Sequence, residues 1–394
     1  MKSLRIISRT LVGLVFMFSG FVKGVDPLGL TYKLQEYFIA YNMEWLHGMA
    51  LVFAVILCMI EFTLGVMLVF GVKPKLTAWL SLILMGFFTV LTLISAIYSP
   101  VSDCGCFGDA IKLTNWQTFY KNVVLMVFVL FLVFTNKFAI AAFKPKGEIT
   151  VTILGAGFMI FISVFSLRHL PVIDFLPWKV GNKISEQVVP MPEISDVFLV
   201  YKNKKTGKTI EYTAKTLPWQ DSVLMANLEF VDQRKKIIQP YKEAPVHDFV
   251  VSDENGNILT DKIVANPRYQ FILVSYNLSD TEKDSFKEIN KFVEGCDKDS
   301  ISFVEFSGNN FDIIDVFRHD VQAMYPFYIV DETALKTMIR ANPGLLLLQN
   351  GVVLAKWHWR DIPEYAVVKE KYMKETKVNK TKVKIEIQIE NSKN

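Results

Sequence analysis

Residues 49–72 read MALVFAVILCMIEFTLGVMLVFGV, 24 residues with one charged side chain, Glu61. A helix needs about 20 consecutive apolar residues to cross a hydrocarbon core, so this run reads as a transmembrane span. Four more stretches share its character: 6–22, 76–98, 119–138 and 149–167. They explain why the mean hydropathy of a 394-residue chain reaches +0.29. The first 170 residues carry 13 Lys+Arg and 7 Asp+Glu, whereas residues 171–394 carry 30 and 32. One half belongs to lipid and the other has the charge density of a water-soluble protein. The composition excludes a disordered chain, a disulfide mini-scaffold and a collagen-like fibre. No basic stripe marks a nucleic-acid partner. The first stretch follows Lys2, Arg5 and Arg9 as a signal peptide would, but it ends in Ser19-Gly20-Phe21-Val22-Lys23 without a small-x-small cleavage site. It reads as an uncleaved span.

Orientation follows from the short loops. Lys2, Arg5, Arg9, Lys73, Lys75, Lys137, Lys144 and Lys146 lie on the N-terminal side. Only Lys23, Lys33, Lys112 and Lys121 lie opposite, beside Asp26, Glu36, Glu44, Asp103 and Asp109. The bias predicts a cytoplasmic N-terminus in a bacterial inner membrane. Five crossings then set everything after Arg168 in the periplasm, facing the loop that follows the third span. Within the spans, Glu61 stands out, because an intramembrane carboxylate is costly enough to be a catalytic candidate. Its alternative is a protonated side chain hydrogen-bonded to a neighbouring helix. Gly20 and Gly24 have the spacing of a close helix contact. Leu30, Leu34, Tyr37, Phe38 and Tyr41 recur at helical spacing and suggest an amphipathic anchor in the outer interface.

The four cysteines are Cys58, Cys104, Cys106 and Cys296. Two of them form Cys104-Gly105-Cys106-Phe107-Gly108-Asp109, after the third span. Exposed extracytoplasmic thiols usually oxidise, and a bridge over one intervening residue is strained and labile. Three readings stay open here: a redox-active pair, a structural turn, or metal binding. Zinc wants about four ligands, and this loop offers two cysteines and no histidine. We therefore assign no metal. Cys58 reads as a small core residue, with relay to the pair as its other role. Nothing near Cys296 activates it.

Four spans with a Cys-Gly-Cys-Phe-Gly loop after the third resemble the MauE/DoxX group of small membrane proteins. Ser19-Gly20-Phe21-Val22-Lys23-Gly24-Val25-Asp26-Pro27-Leu28-Gly29, followed by Lys33 and Tyr37, is similar to the DoxX-type proteins of Bacteroidetes. The resemblance covers residues 1–145 and implies a four-helix membrane bundle, to which 146–170 adds a fifth helix. It implies electron transfer near quinones, or disulfide maturation of periplasmic partners, with an architectural likeness to vitamin K epoxide reductase. No cofactor follows from the residues themselves; a quinone is the candidate the resemblance supplies.

Beyond the spans, residues 171–243 read as a proline-rich linker and a β-rich connection, with a hairpin from 197–201 to 209–213. Gly207-Lys208-Thr209 is not a phosphate loop, because Lys202 stands where its first glycine belongs. From 244 to 374 strands at 271–276, 301–306 and 327–330 alternate with helices at 281–293, 311–317 and 333–339. A short hairpin (249–252 with 258–260) precedes them, and a pair at 345–348 and 352–357 closes an α/β sheet. The run from Ile339 to Val352 resembles the second half of a thioredoxin fold. By that resemblance Pro343 is the proline, usually cis, that borders the active site. Where the family carries Cys-x-x-Cys, this chain has Tyr276-Asn277-Leu278-Ser279-Asp280-Thr281, so this unit cannot run dithiol chemistry alone. His319-Asp320 and Trp357-His358-Trp359-Arg360-Asp361 are weaker polar candidates. Residues 375–394 form a lysine-rich tail with a strand-like stretch at 383–389.

The fold class is thus an α-helical membrane bundle of four helices plus a fifth, followed by an extracytoplasmic α/β thioredoxin-like unit. The leading functional reading is thiol–disulfide or quinone-linked electron transfer through Cys104 and Cys106, with Glu61 assisting. Its alternative is a membrane-anchored adaptor whose degenerate thioredoxin-like unit binds an envelope protein. A transporter is poorly supported, since no pair of broken helices appears.

Overall fold

The computed structural model describes residues 2–101, 105–213, 215–241, 244–246 and 249–373. Cys104 and the tail, including 383–389, lie outside the described residues. Among those described, five helices are long and apolar enough to cross a bilayer. They include α1 (Lys2–Val25), α3 (Ala50–Phe70), α4 (Pro74–Tyr98), α5 (Asn115–Phe134) and α6 (Pro145–Arg168). Their windows are only 22–50% buried, and side chains such as Ile83, Val127 and Phe161 face outward. Apolar surface on that scale is stable only against lipid, so the chain is a multi-pass membrane protein.

A shorter helix, α2 (Pro27–Ala40), follows α1 directly. Asp26 starts it by accepting the Gly29 amide at 2.9 Å, with Pro27 at the first helical position. At the other end of the bundle Gly71, at φ +68°, caps α3. Thr114 and Gln117 exchange side-chain-to-amide bonds in a capping box that opens α5.

The seam between α1 and α3 is set by glycines. A Cβ on Gly13 would stand 2.8 Å from the Gly65 carbonyl oxygen, and one on Gly65 2.5 Å from the Met17 amide nitrogen. Gly20 lies against the Phe62 backbone, while Gly24 faces Met159 of α6. The spacing read at Gly20 and Gly24 therefore marks close contact, but with two different helices.

Outside the spans, β1 (Ile194–Asn203) pairs antiparallel with β2 (Thr209–Thr213) and β3 (Leu228–Gln239). The hairpin matches the sequence expectation, whereas β3 was not expected. Its charged run, Asp232 to Lys236, hides the alternation that signals a strand. The second sheet has the order β6-β5-β4-β7-β8. Its strands are β4 (Tyr269–Ser275), β5 (Ser302–Ser307), β6 (Phe327–Ile329), β7 (Gly344–Gln349) and β8 (Val352–His358). β4, β5 and β6 run parallel, and β7 runs antiparallel to both β4 and β8. The Asn342–Pro343 peptide before β7 is cis. The hairpin expected at 249–260 reduces to a bridge between Ser252 and Ile258, because Thr260–Val264 is helical.

One core of this mixed α/β unit joins Trp178 and Ile184 with Phe249, Ile272, Phe306 and Leu346. The proline-rich stretch after α6 is therefore part of that core. The Gly181 and Ile184 amides donate to the Val353 and Gly351 carbonyls at 2.8 Å, and Val353 returns a bond to Asn182 at 3.0 Å.

The opposite face of the sheet buries Glu305 completely. Ser275 and Tyr325 stand beside its carboxyl without closing a hydrogen bond of ordinary geometry. Burial pushes it from the ordinary 4.5 up to about 8. Between those values the folded protein holds a proton that the unfolded chain releases, so stability falls as pH rises through this window. At about 1.4 kcal/mol per pH unit the effect is large. Glu305→Gln is expected to flatten the slope and raise the unfolding temperature near the top of the window, as read by thermal unfolding between about pH 5 and pH 9.

Candidate functional site

The end of the bundle that faces the α/β unit encloses an apolar cavity of about 440 Å³ between α1, α2, α3, α4 and α5. Leu30, Leu34, Tyr37, Phe38 and Tyr41 all line it. The face of α2 expected to anchor in the membrane interface thus turns inward as a wall, with Tyr37 and Phe38 buried. Helical periodicity identifies an apolar face without saying which apolar medium it meets.

The charged groups in this wall are few. Lys23 of α1 and Glu61 of α3 form an ion pair, with side chains 4% and 5% exposed. Sequence reading assigned Lys23 to the outer loop and considered Glu61 alone; 38 residues separate them, and only the packing of α1 on α3 joins them. An unpaired charge there would carry its full desolvation cost, so each makes the other tolerable. The Lys23 ammonium also lies 5.5 Å from the centre of the Phe88 ring. Asn122 hydrogen-bonds Thr92 at 3.2 Å in the α4–α5 seam beside the same cavity.

Cys106 reaches the cavity from above, where it and Gly105 form part of the lining. Its carbonyl accepts the Ser19 hydroxyl at 2.7 Å, which ties the cysteine loop to α1. Gly105 and Gly108, at φ +62° and +51°, turn the chain sharply on either side, and Phe107 is buried under Lys121 at 4.2 Å. The stem of Lys33 crosses Gly105 so closely that a Cβ there would stand 3.0 Å from Lys33 Cγ. Cys58 is fully buried one turn before Glu61.

A second, polar chamber of about 180 Å³ lies outward of the first, and Lys23, Leu30, Lys33 and Gly105 line both. Its far wall comes from the α/β unit. Arg340, three residues before Pro343, inserts its guanidinium between Asp26 and Asp109. Nε donates to both Asp26 oxygens at 2.8 and 3.0 Å, Nη2 to Asp109 at 2.9 Å, and Nη1 to the Lys336 carbonyl. Burial works against this charge, but the two carboxylates more than offset it and raise the guanidinium above its ordinary value. Gly29 leaves the space, because a Cβ there would stand 3.0 Å from Arg340 Nη2. Beside it Tyr32 donates to Tyr276 at 3.2 Å, and burial raises both phenols. Tyr276 opens the stretch that sequence reading set in place of a dithiol motif; here it docks on α2. Asp109, read as the end of the cysteine motif and as one of the loop acids, therefore ties that loop to the α/β unit.

The remaining candidates lie apart. Cys296 is buried in the α/β core, where desolvation pushes its thiol up. His319 is exposed, and its neighbour Asp320 pairs with Lys283 at 2.6 Å. His358 is buried and held near 4 by that burial, so it is neutral at ordinary pH. Asp361 pairs instead with His169 at the end of α6, at 2.8 Å. No group of three or more metal-binding side chains occurs among the described residues.

Residues 1–135 match the family model described as Methylamine utilisation protein MauE. That match and the apolar helices fit a MauE-type membrane protein. No curated protein and no solved structure matches the chain.

Removing Arg340 takes from Asp26, which is 13% exposed, and from Asp109 the cation they share. Arg340→Ala is expected to cost about 3 kcal/mol and to expose the α2 region and the 105–113 loop to protease. Arg340→Lys should fall between the two, since an ammonium keeps the charge but not the fork. Thermal unfolding and limited proteolysis in detergent check both.

Proposed function

We propose that this MauE-type protein passes electrons between the Cys104/Cys106 pair and an apolar, quinone-type acceptor in the bundle cavity. One observation carries the reading: Cys106 and the buried Lys23–Glu61 pair line the same cavity. Closing a disulfide from two thiols releases two electrons and two protons. The lining fits a flat apolar ring with oxygens at its edge, because it is largely apolar apart from Ser19, Lys23, Lys33, Glu61, Cys106, Lys121, Asn122 and the tyrosines. A quinone held there would supply a two-electron, two-proton acceptor. For the chain's own residues, Lys23 and Glu61 present a buried, hydrogen-bonded ion pair to the cavity, and Lys23 spans the two chambers. Ser19 and Lys33 fix the cysteine turn over the cavity mouth.

The α/β unit is, on this reading, a thioredoxin-like domain without its dithiol. The strand order and the proline before β7 support that assignment. The lysine and arginine bias of the short loops supports a cytoplasmic N-terminus in an inner membrane and a periplasmic α/β unit. An adaptor that recruits envelope proteins through the face near Pro343 fits less well, because Tyr276, Lys336 and Arg340 already rest on the bundle.

The test is direct. Full-length protein, reduced and freed of reductant, is mixed with a short-chain quinone, and disulfide and quinol are followed together. Equal amounts of both should form. Cys106→Ser should abolish both, and Glu61→Gln should slow them by about 10²-fold, as loss of a positioned proton carrier does. Wild-type quinol formation by Cys106→Ser would remove the cysteine pair from the reaction.

A further inference from the structure

Where α6 leaves the membrane, two arginines converge. Arg168 closes the last turn of that span, and Arg360 comes from the turn after β8, 192 residues later. With Phe161, Val164, Phe165 and His169 they line an open groove of about 300 Å³. Neither arginine makes an ion pair among the described residues. The nearest acid in sequence, Asp361, is already engaged by His169 at 2.8 and 2.9 Å. Arg360 is not buried; its guanidinium lies 4.1 Å from the Trp359 ring centre. The lower wall is hydrocarbon, with Phe161 65% exposed on the surface that meets lipid. The groove therefore carries two uncommitted cations above an apolar wall, at the depth where an interfacial tryptophan belongs.

We infer that this groove binds an anionic phospholipid, with the phosphate between Arg168 and Arg360 and an acyl chain along Phe161 and Val164. The charge pattern selects the ligand. A guanidinium pair matches phosphate oxygens, and no carboxylate lines the groove to repel them. A zwitterionic headgroup would bring its own ammonium toward two cations. A free phosphate would leave the apolar wall unused. The site joins the fifth span to the α/β unit, so the lipid would bridge the two beside the His169–Asp361 pair.

The full chain is reconstituted in vesicles of phosphatidylcholine containing phosphatidylglycerol as a minority component. It is then re-extracted, and the lipid it retains is counted by native mass spectrometry. Phosphatidylglycerol should be retained above its share. Arg168→Gln and Arg360→Gln should each lower that preference roughly fivefold. Arg360→Lys should keep most of it, which separates lost charge from lost folding. Wild-type retention in both glutamine variants would overturn the inference. So would displacement of the lipid by inorganic phosphate, which would mark a phosphate site without lipid specificity.

Discussion

Lys23 and Glu61 meet where almost no water reaches them, and the outer half of the bundle is arranged around keeping them together. A buried pair that loses one member leaves a charge whose cost exceeds the pair's own worth. That penalty holds α1 and α3 in one rotational setting, since turning either helix would separate the charges. The glycine contacts at Gly13, Gly20 and Gly65 supply the close approach that makes the setting possible. With α1 and α3 fixed, α2 closes over the gap beside them. The cavity is the space that remains.

The same logic recurs one layer outward. Arg340 is a cation from the α/β unit set between two acids of the membrane region, and within the α/β unit Lys356 pairs with Asp174, in the stretch after α6, at 2.7 Å. Burial lowers the Lys356 ammonium, and the Asp174 carboxylate offsets only part of that. The contact between the two regions thus relies on Arg340 and its two acids as well as apolar area. Such a contact is specific in register, because a shift of one residue would leave several ions unpaired. Asp26 serves both layers, since one carboxylate starts α2 and receives Arg340.

Much of this was readable in advance. Hydropathy located all five spans, because a 20-residue apolar run has few other uses. The α/β unit announced itself through apolar strands punctuated by turn residues. What escaped reading was whatever depends on azimuth or on distant partners. Lys23 looks like a loop lysine until α1 is packed on α3. Arg340 and its acids are 314 and 231 residues apart, and no local pattern links them. The prolines after Pro171 suggested a tether, yet Trp178 and Ile184 lie among the most buried side chains of the fold. Proline constrains backbone without deciding burial. Asp109 was visible as the end of a motif, but its tie to the α/β unit required the other half of the chain.

The capture of residues 178–184 by the β7–β8 hairpin sets an order of events during synthesis. These residues are the first to emerge beyond α6, whereas the Gly351 and Val353 carbonyls that receive their amides are made some 170 residues later. At ribosomal speeds that gap lasts on the order of ten seconds or more. Throughout it the Gly181 and Ile184 amides have no hairpin to bond, although Phe249 and β4–β6 are made in the meantime. The bonds that join the two ends of this unit therefore cannot form until nearly all of it has been made. A nascent chain that stalls before β8 lacks the backbone partners that hold residues 181–184 on the sheet.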